Sequence, residues 1–143
     1  MAIYNKYQYF VSALSDKLID VLGATDVYKA IIHSDATALT VGTVNISACS
    51  QIPSANGYPG TNTISYTCAN ATGTVTFVPT ADITWTASGG SLGGVTNGQY
   101  FTVYDDTAAT DIPMVRFDYG STFTVAPGET MTLDFDTTLF SLV

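Results

Sequence analysis

The chain has 143 residues, 46% of them hydrophobic, with twelve acidic against four basic side chains and a net charge of −8. One domain of that length buries roughly 68–70% of its unfolded surface, so it folds without metal or disulfide staples, and the apolar content argues against disorder. Phosphate recognition draws on clustered Lys and Arg, whereas Lys6, Lys17, Lys29 and Arg116 are scattered, which argues against nucleic acid and against an anionic membrane surface as partners.

Charged residues amount to only 11% of the chain, against about 25% in an ordinary soluble domain. Thr, Ser, Asn and Gly take their place. A neutral hydroxyl and amide surface costs little to desolvate, because it holds few charges to strip of water, and it suits packing against neighbours in an assembly. The N-terminus MAIYNKYQYF lacks the basic region and continuous apolar core of a signal peptide, and no window reaches 18 apolar residues. With no export signal in view, Cys49 and Cys68 are expected as reduced, largely buried thiols.

Tyr7, Val11, Leu14, Leu18 and Val21 alternate spacings of four and three, with Phe10 and Leu22 widening the stripe. Asn5 as cap, Gln8 three residues on and Gly23 at the far end predict a helix over about Lys6–Leu22. Residues 1–23 thus form a helical arm, and residues 24–143 a β domain. Val27–Ile32 and Val44–Ile52 are predicted strands, and Asp35–Gly42 has no assignable pattern. Ser54–Asn62 (SANGYPGTN) is a loop by its Asn-Gly and Pro-Gly breakers. Thr63–Ala69 and Thr74–Val78 follow as strands around a turn at Asn70–Gly73. Ile83, Trp85 and Ala87 share one strand face, with Thr84 and Thr86 on the other. Ser88–Gly94 is a glycine-rich loop; Gln99–Tyr104, Ile112–Asp118, Thr122–Val125 and Glu129–Asp136 are strands, and Pro127-Gly128 a tight turn. Met131, Leu133 and Phe135 point inward, Thr130, Thr132, Asp134 and Asp136 outward, and Leu139–Val143 closes the chain as a terminal strand. Seven to nine short strands with close-spaced turns predict a mainly β fold: an antiparallel β-sandwich or jelly-roll-like domain with one N-terminal α-helix.

Few residues offer reaction chemistry. His33 is the single histidine and falls at a strand end, and neither cysteine has a catalytic setting. Asp105, Asp106 and Asp111, or Asp134 and Asp136, could ligate calcium or form a sugar-cleaving pair, but the first group flanks the turn DDTAATD, where aspartate serves local hydrogen bonding. The chain is therefore read as a binding protein, not an enzyme, with no metal and no cofactor.

The segments ITWTASGGSLGG and YFTVYDDTAATDIPMVRFDYGSTFTVAPGETMTLDF carry an ASGG-x-[IL]-G loop at Ala87–Gly93. They also carry an aromatic-aliphatic strand running into Tyr-x-Asp at Tyr100–Asp106, D-Y-G-S at Asp118–Ser121 and a GET turn at Pro127–Thr130. In that order they resemble a group of small virion proteins of tailed bacteriophages, similar to capsid cement or decoration proteins. Upstream, the helix followed by DVYKAII and the loop NGYPGTN are similar to the same group. The resemblance implies a subunit on the outer capsid surface, made in the host bacterial cytoplasm, that binds the major capsid protein and itself, as a trimer rather than a dimer. It carries no catalytic residues. One helix cannot hide Tyr4, Tyr7, Tyr9 and Phe10 together, so these aromatics, with Asn56 and Tyr58 of the loop, are the expected interface. The rival readings are a tail or fibre module that binds host carbohydrate, with exposed aromatics lining a groove, and a calcium-assisted glycan hydrolase.

Overall fold

The computed structural model describes residues 3–15, 25–34, 45–94, 97–136 and 138–142. It holds one α-helix, α1 (Gln8–Ser15), and strands β1 (Ile3–Lys6), β2 (Tyr28–His33), β3 (Asn62–Thr63), β4 (Tyr66–Ala71), β5 (Thr74–Pro79), β6 (Ile83–Thr86), β7 (Gly98–Asp105), β8 (Ile112–Phe123), β9 (Thr130–Leu133) and β10 (Phe140–Leu142). All pairings are antiparallel. A five-stranded sheet runs β1-β8-β7-β2-β3; a three-stranded sheet runs β10-β5-β4, and β6 and β9 form a third. Among the described residues the fold is mainly β and sandwich-like, as the strand pattern predicts, with one short helix.

Aromatic side chains join the layers. Phe77 of β5 meets Tyr28 of β2 edge-on at 5.1 Å, and Trp85 of β6 stacks on Phe101 of β7 at 5.9 Å. The smaller sheets therefore pack on the face of the large sheet that carries Tyr28, Ala30, Ile32, Phe101 and Val103, all in the main apolar cluster. The opposite face of β2 and β7 is buried as well, through Ile31, His33, Tyr100, Thr102 and Tyr104.

Several predicted elements shift. Ile3–Lys6 is strand, not helix: it pairs with β8 from Ile3↔Asp118 to Lys6↔Val115, so the expected cap Asn5 sits opposite Arg116. The helix starts at Gln8, and its predicted extent beyond Ser15 lies outside the described residues. Its buried side comprises Phe10 and Ala13, with Tyr7 just ahead of it, while Val11 of the predicted stripe is 56% exposed. The predicted strand Val44–Ile52 gives way to a 3₁₀ turn at Ile46–Ala48, because the Asn45 side chain accepts the Ser47 N–H at 2.7 Å and draws the backbone out of the extended state. Asp35–Gly42 lies outside the described residues.

The two strands predicted over Ile112–Val125 are one strand with two irregularities. Between the pairs Gly98↔Phe123 and Tyr100↔Asp118 β7 advances two residues and β8 five, which bulges the Tyr119–Thr122 stretch out of register. A smaller slip follows between Val103↔Val115 and Tyr104↔Pro113, and there the Met114 carbonyl accepts the Tyr7 N–H at 3.0 Å. The β6–β9 alternation is as predicted: Ile83, Trp85, Leu133 and Phe135 are buried, and Thr84, Thr86, Thr130, Thr132, Asp134 and Asp136 exposed.

Candidate interaction surface

Three of the six expected interface residues lie inside the domain. Tyr7 and Phe10 are buried, Tyr7 with its hydroxyl 3.4 Å from Thr102 Oγ1 and Phe10 edge-on to Phe140 at 5.0 Å. Burial pushes the Tyr7 phenol up to about 12. Tyr58 is also buried, for a topological reason. Strand β3 covers the edge of β2 only at Lys29 and Ala30, and beyond it Tyr58 takes over: its hydroxyl accepts the Ile32 N–H at 2.8 Å, while Ile52 N–H donates to the Ile32 carbonyl. Burial raises the Tyr58 phenol too. These side chains present no surface to a partner, which corrects their assignment.

Asn56 is half-buried and fastens two loops, donating to the Ser91 carbonyl at 3.0 Å while its own carbonyl accepts the Ser88 N–H. Tyr9 is half-buried against the apolar cluster. Tyr4 pairs with Phe117 through its backbone, and its side chain lies outside the described residues.

The polar groups that could carry chemistry are held in structural bonds. His33 ends β2 fully buried, with Nε2 2.9 Å from Thr102 Oγ1 and its ring stacked on Tyr100. The Arg116 guanidinium lies over the same Tyr100 ring, 5.1 Å from its centroid. Asp106 pairs with Lys29 at 2.6 Å. Among the described residues no group of three His, Cys, Asp or Glu could hold a metal ion. Cys49 and Cys68 are not joined in a disulfide and are half-buried rather than largely buried.

Asp105 is not fully paired. It is completely buried, and Oδ1 accepts the Thr107 and Ala108 N–H groups at 2.8 and 3.3 Å, but Oδ2 has no hydrogen-bond partner among the described residues. Burial outweighs those N–H donors and, with the Asp26 carboxylate nearby, pushes the group from 3.8 up to about 6. A carboxyl that binds its proton more tightly folded than unfolded loses stability as pH rises. The loss starts near pH 4, is complete above about pH 6, and amounts to at most about 3 kcal/mol. Asp105→Asn keeps an oxygen for the two N–H groups and carries no charge. It is therefore expected to stabilise the protein at pH 7.5 by up to about 3 kcal/mol and to leave it unchanged at pH 4. Urea unfolding of both proteins at the two pH values checks this, and an equal difference at both would show that charge burial is not the cause.

The outer face of the β6–β9 pair is lined with hydroxyls, Thr84 and Thr86 on β6 and Thr130 and Thr132 on β9, all exposed, and on β4 Thr67 is exposed beside Ala69 and Ala71. Thr84 and Thr132 bond across the β6–β9 pair at 3.0 Å. Tyr119, which the bulge in β8 turns outward, is 49% exposed. It stands at the mouth of a cleft of about 420 Å³ lined by Phe101, Phe117, Met131, Thr132, Leu133 and Asp134. That cleft was not predicted. Its signal in the sequence is Gly120 within the run Ile112–Phe123, the mark of a bulge once that run is one strand.

No family model, curated protein or solved structure matches the chain. Among the described residues no helix is long and apolar enough to cross a membrane.

Proposed function

We propose that the chain is a capsid cement protein of a tailed bacteriophage, lying on the outer surface of the virion shell and tying neighbouring capsomers of the major capsid protein together. The observation that carries this reading is the role of the four segments that resemble virion proteins: they are fittings of one scaffold rather than parts of a reaction centre. Gly128 N–H donates to the Ala87 carbonyl and Ala87 N–H to the Glu129 carbonyl, so the GET turn locks onto the start of the ASGG loop. Leu92 N–H from that loop reaches the Val125 carbonyl, and Gly120 N–H of D-Y-G-S bonds Asp118 Oδ1 at 2.8 Å. A rigid scaffold faced with threonine can be pressed against a neighbour at low desolvation cost, because hydroxyls re-form their hydrogen bonds more cheaply than charges.

The mechanism is burial of area across capsomer boundaries. Each 1,000 Å² of apolar surface removed from water is worth at most about 25 kcal/mol before ordering costs, and a modest net gain repeated over every copy resists internal pressure. Self-association as a trimer would place equivalent faces on several capsomers at once. Cryo-EM of a virion carrying the protein tests the reading. Trimeric density repeated over the icosahedral shell and bridging capsomers is expected; a few copies confined to the tail would overturn it in favour of a host-binding module.

A further inference from the structure

The seam between the β6–β9 pair and the large sheet exposes a strand edge above an apolar floor. Ala87 N–H donates to the Glu129 carbonyl at 2.9 Å, and that phase continues two by two along the ladder. Trp85 with Met131 and Ile83 with Leu133 are therefore the hydrogen-bonded pairs of the register. The backbone N–H and C=O groups of Thr130 and Thr132 then point away from β6, and among the described residues no strand pairs with them. Thr132 lines the cleft although its hydroxyl is engaged with Thr84 on the outer face, so its backbone is what it offers there. Below the edge lie Phe101, Phe117, Met131 and Leu133, with exposed Tyr119 at the mouth.

We infer that this seam takes one added strand from a partner polypeptide, a short extended segment with alternating apolar residues and a Lys or Arg opposite Asp134. Three features select that occupant. A row of outward main-chain donors and acceptors is matched by another backbone, and the side chains that alternate inward from an added strand meet the floor. A sugar would instead leave most of its hydroxyls against aromatic and aliphatic walls with no partner. The charge at the end of the edge is negative: Asp134 and Asp136 are both exposed, and no Lys or Arg lines the cleft. A second copy of this chain paired at this edge would set its own Asp134 beside the first, which disfavours self-pairing here.

The probe is the hexapeptide acetyl-Lys-Val-Thr-Val-Thr-Val-amide, titrated into the isotope-labelled full chain and followed through backbone amide resonances. Two control peptides accompany it, one with Glu for Lys and one N-methylated at alternate amides. The expected result is shifts at Thr130, Thr132, Asp134 and Tyr119, at least threefold tighter binding of the Lys peptide than of the Glu peptide, and none with the N-methylated peptide. Thr132→Pro removes an N–H that the ladder with β6 does not use, so it is expected to weaken binding at least tenfold with the amide spectrum otherwise retained. Asp134→Lys, at an exposed position, is expected to reverse the Lys-over-Glu preference, which keeps the test decisive if the proline variant unfolds. Unchanged binding by the N-methylated peptide, shifts confined to another surface, or no shifts at millimolar probe overturns the proposal. So do shifts of the same amides on dilution of the protein alone, which would mark a second copy, or on adding cellohexaose but not peptide, which would mark a sugar site. No shell is present in this assay, so its failure and that of the capsid reading are told apart.

Discussion

Phe77→Ala is expected to destabilise the protein by about 3–5 kcal/mol, the range for truncating a buried phenylalanine that leaves a cavity. Phe77 has no exposed surface and touches three rings at once: stacked on Tyr66 at 4.6 Å and on Phe140 at 5.1 Å, and edge-on to Tyr28 at 5.1 Å. Phe140 in turn meets Phe10 of the helix. Side chains from β2, β4 and β10 thus converge on this ring, with α1 reaching it only through Phe140, and the backbone around it cannot collapse inward without moving two sheets. Leucine at the same site keeps most of the volume but loses the stacked geometry, worth about 0.5–1.5 kcal/mol per aromatic pair, so it should fall between alanine and the parent. Urea unfolding gives the order. A cost below about 1 kcal/mol for Phe77→Ala would mean that the sheets are not joined through this ring.

The aromatic clasp explains why the fold was legible and the interface was not. The alternation Ile83-Trp85-Ala87 and Met131-Leu133-Phe135 is a local, period-two signal with one face buried, and it assigned both strands and their inward faces correctly. The β4–β5 turn is carried by Thr72-Gly73, both at positive φ, and Gly73 marks it in the sequence. Ile3–Lys6 is too short for any period to show. Its state is decided by the open edge of β8, a partner more than a hundred residues away, so an apparent cap at Asn5 outweighed it. Tyr7, Phe10 and Tyr58 were misplaced because a residue's exposure depends on how many sides of a sheet are covered. Local pattern shows one buried face per strand, whereas β2 and β7 are buried on both. An accounting of backbone bonds would have found Tyr58: with β3 only two residues long, Ile32 needs another acceptor, and a loop tyrosine supplies it.

The surface that remains follows from the same arithmetic. With aromatics drawn inward from the helix and the long loop, the exposed residues among those described include threonines, carboxylates, Val11, Val27 and the bulge-borne Tyr119. The acids on the turns largely serve the turns: Asp105, Asp118 and Asp134 each accept an N–H two residues on. The low charge of the surface thus comes from the composition, and the exposed carboxylates that remain keep their charge while they hold their turns.

Gly57→Ala is expected to cost about 4 kcal/mol or more, and the comparison with Gly73→Ala shows why. Both glycines are the second central residue of an X-Gly turn with two positive φ values, Asn56-Gly57 at 51° and 91° and Thr72-Gly73 at 51° and 84°. Alanine in that backbone region costs roughly 1–2 kcal/mol at either site. Around Gly73 a new methyl group meets nothing within 4 Å, so conformational strain is the whole effect. At Gly57 the methyl would stand 2.0 Å from the backbone oxygen of Thr86, which is fixed in β6 and cannot rotate away. The turn must lift off β6, and with it go the Tyr58 bond to Ile32 and the Asn56 bonds that tie this loop to Ser88 and Ser91. The single tryptophan, Trp85, adjoins Thr86 and stacks on Phe101, so its fluorescence reports the separation directly. Equal losses for the two variants in urea unfolding would mean that the loop does not press on β6. A loss at least twice as large for Gly57→Ala, with an altered Trp85 spectrum before the main transition, would establish that the loop is a structural wedge.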